Sequence, residues 1–155
     1  MYVSLQPMDP AALPDWLAIM RRGYEEQRVA SGESAEAASA SASTSLGQLF
    51  PDGRPGPGQS VYDVHNGERS IGWLWIGPAL TGAPADWWVW SVEVHPEARG
   101  RGVGRRAMEL AEDRARAGGA RSLGLNVFGH NDVARHLYES LGYDTVSVLM
   151  HKLLG

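Results

Sequence analysis

Four arginines and three glycines surround one short turn, and their types and spacing suit the binding of an anion. The turn lies between Glu93 and Gly104, where an apolar, strand-like segment is followed by an amphipathic, helix-like segment. Glycine recurs at every second position, at Gly100, Gly102 and Gly104. Glycine lets a backbone reach positive φ and approach a ligand closely, and the first N–H groups of a helix have no internal partners. Such a turn is suited to bind phosphate at the positive end of a helix dipole.

The arginines of this turn form a local basic cluster on an acidic chain. Arg99, Arg101, Arg105 and Arg106 fall within eight residues, whereas the formal net charge of the whole chain is -4. An acidic protein does not attract nucleic acid, so the cluster indicates a small anionic ligand. The alternative is a solvated helix end that binds nothing.

The spacing of the glycines distinguishes between the known phosphate-binding turns. A P-loop requires Lys and then Ser or Thr after its last glycine, but Arg105 and Arg106 follow here. The dinucleotide pattern G-x-G-x-x-G also fails, and it needs an acidic residue where Val127 and Phe128 end the next predicted strand. The remaining pattern, Arg99-x-x-Gly102-x-Gly104, resembles the pyrophosphate-binding motif Q/R-x-x-G-x-G/A of the GNAT superfamily of N-acetyltransferases.

A second motif lies between Asn131 and Tyr143. Asn131 and Tyr138 are seven residues apart, which places them on one helix face about 10 Å from each other. The predicted packing stripe beside them is Val133, Ala134, Leu137 and Leu141. The stretch resembles the N-x-x-A-x-x-L-Y-x-x-x-G-F/Y block of the same superfamily, in which the Asn contacts the pantetheine arm and the Tyr hydroxyl lies near the cofactor sulfur. The alternatives are an N-cap for Asn131 and a core aromatic for Tyr138.

The resemblance implies an acetyl-CoA-dependent N-acetyltransferase that needs no metal. It implies that the cofactor lies across the splayed ends of two parallel strands. The cofactor-binding residues that it implies are Val92, Val94, Arg99, Gly100, Arg101, Gly102, Val103, Gly104, Arg105, Asn126, Asn131, Ala134 and Tyr138.

The implied reaction is direct transfer to an amine, which must lose a proton before it can attack a thioester. Tyr138 is the candidate proton donor to the leaving thiolate, and a backbone N–H near Val94 is the candidate to polarise the carbonyl. Glu93 is the candidate base, because a lone carboxylate in an apolar strand is costly unless it is paired or functional. The alternative is an exposed or salt-bridged glutamate. Asn126 stands where some members carry a catalytic carboxylate, and it cannot act as that base.

The predicted elements follow the order β-α-α-β-β-β-α-β-α-β. We therefore expect a GNAT-like mixed α/β fold with a central sheet of about six to seven strands, about four helices and a parallel, splayed pair of strands at the cofactor site. Asn66-Gly67 predicts a type I′ hairpin turn. The segment from Ser31 to Leu49 is either a second helix or a mobile linker. The predicted strands and helices are Tyr2–Gln6, Pro10–Val29, Val61–Val64, Ser70–Ile76, Trp87–Val94, Gly104–Ala117, Ser122–Phe128, Asn131–Leu141 and a final strand or hairpin at Tyr143–Leu153.

The composition limits the class of protein. A chain of 155 residues with 43% apolar and 21% charged residues is typical of one globular domain, which we expect to span 1–155. It contains no cysteine and no apolar run of membrane-spanning length. We expect a cytoplasmic protein without a signal peptide, membrane contact or nucleic-acid partner.

The acceptor and the assembly stay open at this stage. The acceptor is a small-molecule amine, a peptide N-terminus or a protein lysine. Trp73, Trp75, Trp87, Trp88 and Trp90 either line a site for a cationic amine or belong to the core or to a homodimer interface. His95 is expected to be structural, and His130 is a weaker candidate for ligand contact. A non-catalytic acyl-CoA sensor is the alternative function, and a nucleotide-binding fold is disfavoured by the loop spacing.

Overall fold

The computed structural model describes residues 2–155, in which one mixed sheet of five strands carries helices on both faces. The strand order is β1-β2-β3-β4-β5. The first four strands pair antiparallel, and β5 pairs parallel to β4. The strands are β1 (Val3–Pro7), β2 (Ser60–Asn66), β3 (Arg69–Pro78), β4 (Asp86–Val94) and β5 (Ser122–Gly124).

Four α-helices complete the fold: α1 (Leu13–Ala30), α2 (Ala35–Leu49), α3 (Val103–Ala117) and α4 (Asp132–Ser140). The predicted second helix is confirmed, because the Ser34 side chain caps α2 by accepting a hydrogen bond from the Ala37 N–H at 3.1 Å. Helix α3 has Gly118 as its C-cap, as predicted, and Gly119 follows with φ +92°. Within residues 2–155, no helix is both long and apolar enough to cross a membrane.

The hairpin between β2 and β3 forms where it was predicted, but its turn is of a different type. Asn66 pairs with Arg69, so the two loop residues are Gly67 and Glu68. Gly67 has φ +64°, and Glu68 does not have positive φ. The expected type I′ turn is therefore wrong, because only the first loop position adopts positive φ, as in a type II′ turn.

The two faces of the sheet carry separate cores. On one face, Leu74, Ile76 and Val89 pack with Val103 and Met108 of α3. On the other face, Trp75 packs in edge contacts with Trp16 of α1 and Phe50, at centroid distances of 5.6 and 4.9 Å. This alternation follows from the period of two along a strand that is covered on both sides.

The parallel strands β4 and β5 separate early. Their pairing runs only from Asp86 opposite Ser122 to Trp88 opposite Gly124. A Cβ at Gly124 would overlap the Trp88 ring, so glycine is needed at the last pair. Beyond Trp88, β4 continues to Val94 with β3 as its strand neighbour. The cleft that opens between the two strands is the splayed pair that was predicted.

The last predicted strand is not formed. Residues 143–153 contain no strand, and β5 ends at Gly124 rather than at Phe128. The sheet therefore has five strands instead of the expected six to seven. The physical reason is that no strand of the described chain lies beside residues 125–128 or beside the C-terminal segment, and strand formation requires a hydrogen-bonding partner.

Asp86 ties the beginning of β4 to the beginning of β5. Its carboxylate accepts hydrogen bonds from the Arg121 Nε at 3.1 Å, the Ser122 hydroxyl at 2.8 Å and the Ala83 N–H at 3.2 Å. These hydrogen bonds, with that from Arg121 first, lower the pKa of Asp86 from 3.8 to about 2. Because the folded-state pKa is depressed, the stabilisation is present above about pH 4 and is lost as the pH falls towards 2.

We expect Asp86→Asn to lower the melting temperature at neutral pH, because asparagine carries no charge to pair with Arg121. The difference in melting temperature between wild type and variant should shrink as the pH falls from about 4 to about 2, since the wild-type carboxylate is then protonated too. Thermal unfolding across that range measures it. Asp113→Asn, which removes an exposed pair on α3, is the control. A difference that stays constant down to pH 2 would contradict the assignment.

Candidate active site

The glycine turn opens α3 with unpaired amides. Gly100 and Gly102 have φ +75° and +78°, and Gly102 is the N-cap of α3 without any side-chain cap. The first intrahelical bond runs from the Arg106 N–H to the Gly102 carbonyl at 3.1 Å. A Cβ added at Gly100 or Gly102 would meet no atom within 4 Å, so open space lies beside the turn. Free amides that adjoin open space at a helix N-terminus fit the diphosphate of a coenzyme.

The arginines around the turn are held in different ways. The Arg99 Nε donates to the Val94 carbonyl at 2.9 Å, so its side chain folds back onto the end of β4. Arg105 donates to the Ser140 hydroxyl at 2.6 Å, and Arg106 pairs with Glu109 on the same helix at 3.2 Å. Arg101 is exposed and forms no ion pair with any residue in the range 2–155. Arg101 is therefore the arginine of this cluster whose charge is least engaged.

Glu93 does not lie in the environment that was expected of it. The Glu93 side chain is 39% exposed, and its carboxylate forms an ion pair with the Arg99 guanidinium at 2.6 Å. The expected burial of an unpaired carboxylate is wrong, because the turn after β4 brings Arg99 back beside the strand. The geometry corresponds to the salt-bridged alternative.

A β-bulge in the middle of β4 changes the direction of its side chains. Trp75 lies opposite Ser91 and Ile76 lies opposite Val89, so Trp90 is the extra residue. Its ring stacks on Trp75 at 5.5 Å, and its buried indole N–H has no hydrogen-bond partner within residues 2–155. After Trp88, the amides on the β5 side of β4 have no strand partner. No local signal in the sequence predicts the bulge, since it depends on the register with β3.

Helix α4 carries the second motif. The Asn131 side chain caps α4 by accepting from the Ala134 N–H at 3.2 Å, so the N-cap role is observed. Tyr138 is half-buried, and its ring makes an edge contact with Tyr143 at a centroid distance of 6.1 Å. Burial raises the pKa of Tyr138 above its ordinary value of 10.0, which keeps its hydroxyl protonated at neutral pH. Val133 is 85% exposed, so its predicted place in the packing stripe is wrong.

Direct contacts bring the two motifs together. Gly104 faces Leu137 of α4, where an added Cβ would lie 3.4 Å from the leucine side chain. The hydrogen bond from Arg105 to Ser140 links α3 and α4 a little further along. The amides of the turn and the Tyr138 face of α4 are thus held on one side of the sheet, next to the cleft between β4 and β5.

A model of the "Acetyltransferase (GNAT) family" matches residues 19–143 of the chain, which includes both motifs. The chain belongs to the GNAT acetyltransferase family. It is accordingly an acyltransferase, and the match confirms the resemblance carried by the turn and by α4.

Relatives support this membership over nearly the whole chain. YycN of Bacillus subtilis (strain 168), described as an uncharacterized N-acetyltransferase, is 30% identical over 159 residues, which cover 99% of this chain and 100% of YycN. The crystal structure of YycN has a TM-score of 0.84 and 28% identity, and the match covers 99% of each chain. The aminoglycoside N-acetyltransferase AAC(6')-Iy in complex with CoA has the same fold, with a TM-score of 0.63 and 13% identity over 99% of this chain and 96% of that one.

The remaining candidates of this GNAT chain lie apart from one another. Asn126 is exposed in the segment after β5, beside the cleft. His95 follows the end of β4, and its backbone N–H donates to the Ile71 carbonyl at 2.8 Å. His130 is exposed, and its ring stacks on Phe128.

The five tryptophans of the middle strands do not form one site. Trp75 is buried, and its indole N–H donates to the Gln59 side chain at 3.0 Å. The Trp73 indole N–H donates to the Ser91 hydroxyl at 2.9 Å on the same face. Trp87 packs on the opposite, α3 face. Core packing therefore accounts for Trp75 and Trp87. Trp73 and Trp90 are half-buried on the α1 and α2 side, and the half-buried ring of Trp88 lies 6.3 Å from that of Trp90.

Proposed function

We propose that this chain transfers the acetyl group of acetyl-CoA directly to a primary amine. The observation that carries the proposal is the uncapped N-terminus of α3, whose amides adjoin open space beside Val94, at the end of the part of β4 that β5 leaves unpaired. Helix α4 adds a protonated tyrosine on the same side of the sheet. The fold shared with an N-acetyltransferase in complex with CoA supports the choice of cosubstrate.

The proposed cofactor contacts follow the two motifs. The diphosphate accepts hydrogen bonds from the amides of Arg101 to Arg105, which are free of helix partners in the first turn. The exposed Arg101 guanidinium adds a charge. The pantetheine arm runs along the cleft between Val92 and Val94 of β4 and the Asn126 segment, towards α4. Asn131 and Ala134 lie at the beginning of α4, so its first turn borders this path.

The proposed reaction forms one C–N bond and breaks one C–S bond. The amine nitrogen attacks the thioester carbonyl, an N–H proton leaves the nitrogen, and the sulfur departs as a thiolate that afterwards takes up a proton from water. The Tyr138 hydroxyl donates towards this sulfur. A thiol has an ordinary pKa of about 8.5, so a tyrosine above 10 stabilises the thiolate through a hydrogen bond rather than by complete proton transfer. A β4 amide near Val94, on the side that β5 leaves free, polarises the carbonyl.

Glu93 is the proposed acceptor of the amine proton, directly or through a water. The ion pair with Arg99 at 2.6 Å fixes the direction of this carboxylate. We expect Glu93→Gln to lower kcat by about tenfold or more and to flatten its pH dependence, because the amide cannot take up a proton. A pH–rate profile measures both. Glu97→Gln, which removes the carboxylate of an exposed pair with Arg69 at 3.6 Å, is the control and should keep the parental profile. If the Glu93→Gln variant kept the wild-type pH–rate profile, Glu93 would not be the acceptor of the amine proton.

The proposed acceptor is a primary amine on a small molecule or peptide, bound on the α1 and α2 side of β4. That face carries Glu93 and the half-buried rings of Trp73 and Trp90. The fold is shared with AAC(6')-Iy in complex with a bisubstrate analogue, CoA-S-monomethyl-acetylneamine, in a match of 14% identity and TM-score 0.62. An amine acceptor is consistent with that likeness.

Two measurements on the wild-type protein test the proposal. Titration calorimetry with coenzyme A should show one site per chain, and ATP and NAD should give no heat. A panel of amines that differ in size and charge is then added to the protein with acetyl-CoA. Thiol release should increase when the panel includes an acceptor. Binding of CoA without amine-dependent thiol release would point to a sensor, and absence of CoA binding would overturn the proposal as a whole.

A further inference from the structure

The face of the sheet that packs against α1 and α2 is covered only in part. Val61 and Trp75 lie beneath the two helices and are buried. Two residues further along their strands, Asp63 and Trp73 lie on the same face and are only half-buried. The part of this face that lies towards the β2–β3 hairpin is therefore accessible, and it includes the strand position of Glu93.

One cross-strand row of this accessible face places Trp73 between two carboxylates. Trp73 pairs with Asp63 of β2 on one side and with Glu93 of β4 on the other. Neighbouring strands lie about 4.8 Å apart, so the backbones that carry the two carboxylates are about 9.6 Å apart. The Trp73 indole N–H donates to the Ser91 hydroxyl at 2.9 Å, which fixes the orientation of the ring in this row.

The two carboxylates have different partners. Glu93 is paired with the Arg99 guanidinium at 2.6 Å. Asp63 forms no ion pair with any residue in the range 2–155, and the hydrogen bond that it accepts from the Ser70 hydroxyl is long, at 3.4 Å. Asp63 is thus a half-buried carboxylate beside an aromatic ring and without a cation. This combination is complementary to an ammonium group, which binds both to carboxylates and to the faces of indole rings.

We propose that the acceptor is a linear aliphatic diamine, and that its unreacted ammonium group binds between Asp63 and the Trp73 ring. The inference rests on the proposed acetyl transfer and names the class of amine. One nitrogen of the diamine loses a proton at Glu93 and takes the acetyl group, and the other nitrogen keeps its charge at Asp63. Asp63 does not touch the reacting atoms, so it determines specificity and takes no part in the chemistry.

The length of the row selects the length of the diamine. An extended chain advances about 1.2 Å per bond, so the two nitrogens of a six-carbon diamine, seven bonds apart, lie about 8 Å from each other. Such a molecule extends from the Glu93 carboxylate to the Asp63 carboxylate with its methylene groups over the Trp73 ring. A monoamine of the same length leaves Asp63 unpaired, and a much shorter diamine does not reach both ends.

Steady-state thiol release tests the selectivity with two matched amines, hexamethylenediamine and hexylamine. The wild type should have about tenfold higher kcat/KM for the diamine, since an ion pair and a cation–π contact at an accessible site each contribute a few-fold. Asp63→Asn should bring the ratio of the two values close to one, mainly through a higher KM for the diamine. Glu68→Gln removes the same charge from the exposed β2–β3 turn and should keep the wild-type ratio. Equal kcat/KM for both amines in the wild type, or a ratio that Asp63→Asn leaves unchanged, would overturn the diamine site and leave acetyl transfer to amines intact.

Binding without turnover separates this inference from the proposed function. Titration calorimetry of hexamethylenediamine into the protein saturated with coenzyme A should show binding that is about tenfold weaker in Asp63→Asn and unchanged in Glu68→Gln. Absence of binding, or equal affinity in the wild type and Asp63→Asn, would overturn the diamine site. Binding that depends on Asp63 without thiol release from acetyl-CoA would support the cation site and overturn the proposed transfer.

Discussion

Replacing Gly102 by glutamate is expected to weaken coenzyme A binding by at least about 100-fold, or about 2.7 kcal/mol. The residue caps α3, and a side chain at this position would extend into the open space beside the free amides. A carboxylate there would occupy the site proposed for the diphosphate and repel its charge. Titration calorimetry with coenzyme A measures the loss.

The backbone strain of this substitution can be separated from its effect on the ligand. Gly102 has φ +78°, and any other residue at such a position costs about 1–2 kcal/mol. Gly119, at the opposite end of α3, has φ +92° and likewise no atom within 4 Å of an added Cβ. Gly119→Glu should therefore cost similar stability and leave coenzyme A affinity unchanged. Unchanged affinity in Gly102→Glu would remove the turn from the binding site.

The elements that were predictable from the sequence are those fixed by local chemistry. Ser34 as a cap, Gly118-Gly119 as a stop and the alternation along β4 each act within a few residues of where they are read. The turn from Arg99 to Gly104 belongs to the same class, because positive φ and an uncapped helix start are local properties. The parallel pairing of β4 and β5 follows from the helix that connects them.

The features that were mispredicted depend on partners that the fold, rather than the local sequence, brings together. In the sequence, Glu93 is a lone carboxylate within an apolar strand. Arg99 comes to lie beside it only because the turn after β4 folds back. The bulge at Trp90 is set by the register with β3, and the hairpin shifts by one residue because Asn66 pairs with Arg69. Residues 144–155 have the alternating pattern of a strand, but they pair with no other segment within residues 2–155. Pattern describes the capacity to pair, and the partner decides whether a strand forms.

Tyr138→Phe is expected to lower kcat by about 100-fold while the KM for acetyl-CoA changes little. Phenylalanine keeps the half-buried ring and its contact with Tyr143, so only the hydroxyl that we propose as donor to the departing sulfur is lost. Burial raises the pKa of Tyr138, so the wild-type hydroxyl stays protonated around neutral pH and the ratio of the two rates should not change with pH there. Steady-state thiol release at several pH values measures both expectations.

Tyr143→Phe is the matched control for that experiment. The Tyr143 hydroxyl is buried without a hydrogen-bond partner, and burial, together with the nearby Glu112 charge, raises its pKa. The same chemical change one ring away should leave kcat intact, because the Tyr143 hydroxyl lies outside the proposed site. If both variants lost turnover equally, packing of the two rings would explain the effect. If Tyr138→Phe retained full turnover, the leaving sulfur would have to be stabilised by another group.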